Sequence, residues 1–199
     1  MTRTAVVTGG GTGIGRAMAA ALIESGHDVV ITGRRADVLE RTAKDLGSAV
    51  RPVAFDAGDV DAITGALGEL PESIDVLVNN AGGSVSWRKE FGDDLHAVRD
   101  LWLADFHQNV LTSVLLSTAL ADRIADNGRV INFGSIAAPR GNGSYGAAKA
   151  ALVAWTVNLA RDLGNRGITA NLISPGYIED TEFFAGKMTR QRREWQIGQ

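Results

Sequence analysis

Six short apolar runs alternate with helical patterns along this 199-residue chain, and that alternation limits the fold more than any single motif. The runs are TAVVT (4–8), DVVIT (28–32), AVRPVAF (49–55), IDVLVN (74–79), RVINFG (129–134) and ITANLIS (168–174). Between them lie RAMAAALIESG, ADVLERTAKDLG, DAITGALGEL, one long pattern DLHAVRDLWLADFHQNVLTSVLLSTALADRIA, and YGAAKAALVAWTVNLARDLG. Several of these helices are stopped by a glycine. Strands apolar on both faces and separated by helices belong to a parallel sheet covered on both sides. The expected fold is α/β, a doubly wound parallel sheet. No repeat, linker or low-complexity tract divides it, so residues 1–199 read as one domain. The loop-like stretch GGSVSWRKEFGDD (82–94) is long enough to suggest a ligand-side role.

Ligands of such sheets sit at the carboxyl ends of the strands. There, after the first strand, the sequence reads TGGGTGIG (8–15), with five glycines in eight positions. A tight turn alone asks for one or two. Opening directly into a helix, this loop offers backbone amides and a positive helix end to a phosphate. A nucleoside triphosphate loop is the rival reading, since Gly10 to Gly15 match GxxxxG. The match fails at Arg16-Ala17, where Lys-Ser/Thr is required. The GxGxxG fingerprint fails too, because the spacing is Gly9-xxx-Gly13-x-Gly15.

Bulk properties exclude other classes. Lys plus Arg total 20 against 23 Asp plus Glu, a formal charge of −3, which provides no broad footprint for nucleic acid or an anionic membrane. No run approaches the roughly 18 apolar residues of a membrane span, and the MTRTAVVTGG start is a strand rather than a signal peptide. The chain has no cysteine, which excludes thiol chemistry and Cys-ligated metals and fits a reducing, cytoplasmic setting. His27, His96 and His107 lack metal-ligand company, so no metal is expected. His107 lies on a different helical face from Asn109 and reads as packing or solvent contact. The run KMTRQRR (187–193) reads as a solvated helix face, with a phosphate-binding lid as the alternative.

The stretch GSYGAAKAAL (143–152) places Tyr145 four residues before Lys149. Residues i and i+4 share a helix face, so both side chains meet one ligand. A phenol with a pKa near ~10 is a poor base at neutral pH, and a nearby ammonium favours the phenolate. The pair can move a proton. Gly146, Ala147 and Ala148 keep the surface low, leaving room for a flat ring. Standing alone, such a pair is usually two snorkelling surface residues, Ser135 is a cap or turn residue, and Asn109 is a buried amide satisfied by backbone.

Taken together and in order, these features resemble the short-chain dehydrogenase/reductase superfamily, most nearly its 3-oxoacyl-carrier-protein reductase-like branch. The features are TGGGTGIG, Asp56 after the third strand, NNAG (79–82), Asn109, Ser135, YGAAK (145–149) and Pro175-Gly176. The resemblance covers essentially the whole chain and implies a Rossmann-type fold with NADP(H) or NAD(H) as cofactor. It implies four catalytic residues. Tyr145 exchanges a proton with the substrate oxygen, Ser135 holds the carbonyl, Lys149 also bonds the nicotinamide ribose, and Asn109 braces a water path to the lysine.

For the cofactor it implies Gly9, Gly11, Thr12, Gly13, Ile14 and Gly15 at the phosphates. Asp56 with Ala57 meets the adenine, Asn80, Ala81 and Gly82 run along its ribose, and Pro175, Gly176 and Ile178 flank the nicotinamide. Either Asp180 or Thr181 meets the carboxamide or phosphate. Thr32-Gly33-Arg34-Arg35 ends the second strand with two arginines and no carboxylate, which favours NADP(H) over NAD(H).

The expected activity is hydride transfer between NADP(H) and a carbonyl or secondary alcohol, with a 3-oxoacyl thioester as one substrate. Trp87, Phe183 and Phe184 are candidate pocket walls. A catalytically silent cofactor sensor would predict a damaged Ser/Tyr/Lys set, and here the set is intact. A structural partner subunit stays open. The apolar surface of the two long helices suits a homodimer or homotetramer interface. Two departures stand out. Ser135 and Tyr145 are separated by only the nine residues IAAPRGNGS, which reshapes the substrate mouth. The resemblance also implies a further helix and last strand, which this sequence, ending at Gln199, lacks. It is read as truncated there, with ITANLIS an exposed edge.

Overall fold

The computed structural model describes residues 2–85, 94–179, 181–183, 191, 193 and 194. Six strands, β1 (Arg3–Thr8), β2 (His27–Gly33), β3 (Val50–Ala54), β4 (Ile74–Asn79), β5 (Ile124–Phe133) and β6 (Thr169–Ile173), form one sheet. All pairings are parallel, in the order β3-β2-β1-β4-β5-β6. This is the Rossmann-type arrangement expected. The helices are α1 (Gly13–Glu24), α2 (Ala36–Leu46), α3 (Val60–Ala66), α4 (Leu95–Phe106), α5 (Thr112–Leu120), α6 (Ala137–Arg140) and α7 (Gly143–Leu163).

The period of two along each strand explains the two-sided core. Val6, Val30 and Leu77 point to one face, where they join Ile63 of α3, Leu116 and Leu120 of α5 and Leu163 of α7. Their neighbours Ala5, Val7, Val29, Ile31, Val76 and Val78 point to the other, against Ala19 of α1 and Leu39 of α2. Helices on both faces leave ligand access only at the strand ends. The order reverses between β1 and β4, and the crevice above that switch point is where the motif residues gather.

Two boundaries differ from the sequence reading. The long helical pattern was expected to run to Ala125, but helix ends at Leu120 and β5 starts at Ile124. Ile124 pairs with Ile74 and is fully buried, so sheet pairing overrides local periodicity. The register then shifts at Ile74/Val76, and Asn127 takes φ 61° in the irregular turn before Gly128. The same long helix is interrupted by a π turn at His107–Leu111, which joins α4 to α5. Such turns often mark functional positions. Among the described residues no helix is long and apolar enough to cross a membrane, and no cluster of His, Cys, Asp or Glu could hold a metal.

Candidate active site

The glycine loop is built for close approach. Gly9 and Gly13 hold φ of +63° and +51°, in the left-handed region that favours glycine. At Gly15 a Cβ would fall 2.2 Å from the Gly9 carbonyl oxygen and 2.6 Å from Asn80 Nδ2, so no side chain fits there. Asn80 Nδ2 donates to the Thr8 carbonyl at 2.9 Å, and the Thr8 hydroxyl accepts from the Asn80 and Ala81 amides at 2.9 Å each. The ends of β1 and β4 are thereby tied into one floor. Thr12 caps α1 without a side-chain hydrogen bond, and the first turn carries no acid. An anion at this helix end would meet open donors and no like charge.

Above the floor lies a cleft of about 960 Å³. Lining it are Gly9, Gly11, Thr12, Gly13 and Ile14, then Arg34, Arg35, Asp56 and Ala57, and Asn80, Ala81 and Gly82. Ser135, Tyr145, Lys149, Pro175, Gly176, Ile178, Thr181 and Phe183 complete the wall. The volume and this spread of donors fit a dinucleotide. Two expected site residues do not line it. Gly15 is packed beneath the loop, and Asn109 is fully buried behind the wall. Asp180, Trp87 and Phe184 lie outside the described residues, as does most of the 187–193 run.

At one end, Arg35 pairs with Glu182, Nη2 to Oε2 at 2.7 Å, which raises the arginine pKa. Arg34 has no ion-pair partner among the described residues and lines the same end. His107, expected to make packing or solvent contacts, does line the cleft, its ring filling the space where Gly58 lacks a Cβ. Sequence spacing gave no sign of that role because the π turn rotates the helix face at this point.

At the other end stand Ser135, Tyr145 and Lys149. Ser135 follows β5, and its hydroxyl accepts from the Ala137 amide at 3.1 Å and lines the cleft with the Tyr145 phenol. Tyr145 enters from the first turn of α7, with the Phe183 ring 5.8 Å away. Burial holds the phenol above its ordinary pKa, the Ser135 contact opposes this, and the charge of Asp105 adds to it. The lysine was expected to pull the phenol down. In the structure its Nζ donates to the Phe133 carbonyl at 2.8 Å and sits 5.9 Å from the tyrosine ring centroid. Lys149 itself is 5% exposed, and burial pushes its pKa down to about 8.

Asn109 has the backbone-satisfied geometry of a structural amide. Its Nδ2 donates to the carbonyls of Gly83 at 2.7 Å and Asp105 at 2.9 Å, while Oδ1 accepts from the Gly83 amide at 3.1 Å. It still reaches the site through Gly82, whose missing Cβ would fall 2.7 Å from Asn109 Oδ1 and 3.3 Å from Lys149 Nζ. The residue that the sequence reading missed is Asp105, fully buried on α4 and bonded to Ser144. The available signal was a carboxylate one helical turn after the inward-facing Leu101.

The family described as short chain dehydrogenase matches residues 3–192. The chain belongs to that family. Its members are oxidoreductases, and so is this chain. It is 36% identical over 194 residues to a Haemophilus influenzae protein named a probable NADP-dependent dehydrogenase, covering 92% of this chain and 74% of the relative. A 3-oxoacyl-[acyl-carrier-protein] reductase of Vibrio harveyi is 33% identical over 187 residues, covering 89% and 74%. Among solved structures, a blue fluorescent protein from a metagenomic library in complex with NADPH superposes with a TM-score of 0.83 at 33% identity. That match covers 96% of this chain and 81% of the other.

Proposed function

We propose that this dehydrogenase transfers hydride between NADP(H) and a carbonyl or secondary alcohol, with Tyr145 as the acid/base. The observation that carries the reading is convergence. Ser135, Tyr145 and the buried Lys149 meet in the same cleft as the glycine loop and the two arginines that follow β2. Arg34 and Arg35 suit a 2′-phosphate, with no carboxylate among residues 32–35 at the end of β2 to repel it. The NADPH-bound structural relative and the NADP-dependent sequence relative support the same choice.

The nicotinamide, when bound, supplies or accepts the hydride. In the reduction direction the Ser135 hydroxyl donates to the substrate oxygen, and Tyr145 delivers the proton to that oxygen as the carbonyl carbon becomes tetrahedral. Lys149 stabilises the tyrosinate left behind and, with its pKa near 8, passes on a proton at workable pH. Asn109 holds the 82–83 backbone against the lysine. Pro175, Gly176 and Ile178 close the nicotinamide end, and Thr181 stands against Gly13 of the phosphate loop.

A 3-oxoacyl thioester is the substrate favoured by the likeness to the Vibrio harveyi reductase. The partner is a second copy of the chain. Trp102 and Leu103 on α4, Leu111 in the π turn, and Val153 and Val157 on α7 are exposed apolar residues suited to a homodimer or homotetramer interface. Sedimentation of the protein checks this, and a strict monomer would rule it out. The activity is tested by following nicotinamide absorbance with β-keto thioesters, quinones and simple ketones, offering NADPH and NADH separately to wild type and Tyr145→Phe. Turnover with NADPH that vanishes in the variant is expected. Tight NADPH binding without turnover on any carbonyl would instead favour a cofactor sensor.

A further inference from the structure

Within α4 only Leu101 and Asp105 are buried, one helical turn apart. Periodicity calls for an apolar side chain at the second position, and the chain places a fully buried carboxylate there. Burying such a group is costly unless its oxygens are bonded. Both are bonded. Oδ1 accepts from the Val85 amide at 2.9 Å, and Oδ2 accepts from the Ser144 hydroxyl at 2.6 Å. The Asp105 carbonyl also takes the Asn109 amide. One residue therefore joins α4, the loop after β4 and the first turn of α7. Ser144 is buried and immediately precedes Tyr145, while the α7 cap residue, Asn142, makes no side-chain capping bond. The carboxylate anchors an otherwise uncapped catalytic turn.

We infer that Asp105 is a positioning residue for the proton-transferring tyrosine: its buried carboxylate fixes the first turn of α7 through Ser144 and sets a negative charge beside the phenol. The inference rests on the reading of Tyr145 as acid/base. The charge works against ionisation of Tyr145, as the phenol's raised pKa reflects after burial is counted first. Groups facing the phenol are Asp105 from α4, Lys149 from α7, Ser135 after β5 and the Phe183 ring after β6, with His107 and Arg140 lining the same cleft. Lys149 favours tyrosinate and Asp105 favours the neutral phenol. The balance keeps a proton on Tyr145 for delivery to a carbonyl.

The test uses the chain's two tyrosines, Tyr145 and Tyr177. Tyrosinate absorbance is titrated in wild type, Asp105→Asn and Ser144→Ala, with Tyr145→Phe subtracted to isolate the Tyr145 signal. Asp105→Asn keeps the shape and removes the charge, so the Tyr145 midpoint moves to lower pH, and the alkaline limb of kcat/KM moves with it. Ser144→Ala keeps the charge and removes the clamp. There kcat falls by roughly tenfold or more with the KM for NADPH within about twofold, the midpoint does not fall, and Ser144→Thr restores kcat. A midpoint in Asp105→Asn that stays or rises would overturn the inference, as would wild-type kcat in Ser144→Ala. If Asp105→Asn does not fold, the Ser144→Ala and Ser144→Thr contrast decides. Full turnover in Tyr145→Phe would overturn the acid/base reading, while the midpoint comparison would still judge Asp105.

Discussion

Replacing Lys149 with methionine should make the protein more stable at neutral pH while abolishing its chemistry. The ammonium is almost wholly buried, and burial lowers its pKa from 10.5 to about 8. Between those values the unfolded chain holds a proton that the folded chain has lost, so stability rises as pH climbs from 8 to 10.5 and the penalty is complete below 8. The gap corresponds to roughly 3 kcal/mol at pH 7, of which about 2 kcal/mol is recovered by pH 9.5. Methionine fills similar volume without charge, at a cost of about 1 kcal/mol for the lost bond to the Phe133 carbonyl. Urea unfolding at the two pH values should therefore find Lys149→Met about 2 kcal/mol more stable than wild type at pH 7, with the advantage gone by pH 9.5. A stability difference that does not change with pH would refute the reasoning, because every other titrating group is shared by the two proteins.

Three further outcomes follow from the same geometry. Gly15→Ala should cost about 2 kcal/mol or more in chemical denaturation and weaken NADPH binding, since its Cβ would meet the Gly9 carbonyl; a neutral effect would contradict the packed loop. Glu182→Gln should free Arg35 and tighten binding of 2′,5′-ADP about threefold by calorimetry, with 5′-AMP unchanged. Equal effects on the two nucleotides would remove Arg35 from the 2′-phosphate site. Tyr145→Phe should lower kcat by at least about a hundredfold while NADPH binding stays within a few-fold, measured by nicotinamide fluorescence.

Much of this was legible in the sequence because the relevant signals are local. Apolar runs such as TAVVT and IDVLVN map onto β1 and β4 to within a residue, since strands buried on both faces leave little alternative. The glycine loop and the Tyr145/Lys149 spacing were equally readable, one because close backbone approach excludes side chains, the other because four residues make one helical turn. What was hidden depends on tertiary contact. The early start of β5 comes from pairing Ile124 with Ile74 across 50 residues of chain. Asp105 takes its role from Ser144, a partner 39 positions away that no local pattern displays. Lys149 turned toward the Phe133 carbonyl for the same kind of reason, a partner that spacing along one helix does not display.

The central claim is that a hydride passes to a carbonyl in this cleft while Tyr145 supplies the proton. The most direct measurement is deuterium transfer from NADPH labelled at nicotinamide C4 to the best carbonyl substrate, read by mass spectrometry of the alcohol. The account predicts deuterium on the carbinol carbon with wild type and almost none with Tyr145→Phe at equal cofactor occupancy. Label transferred at the wild-type rate by Tyr145→Phe would contradict it.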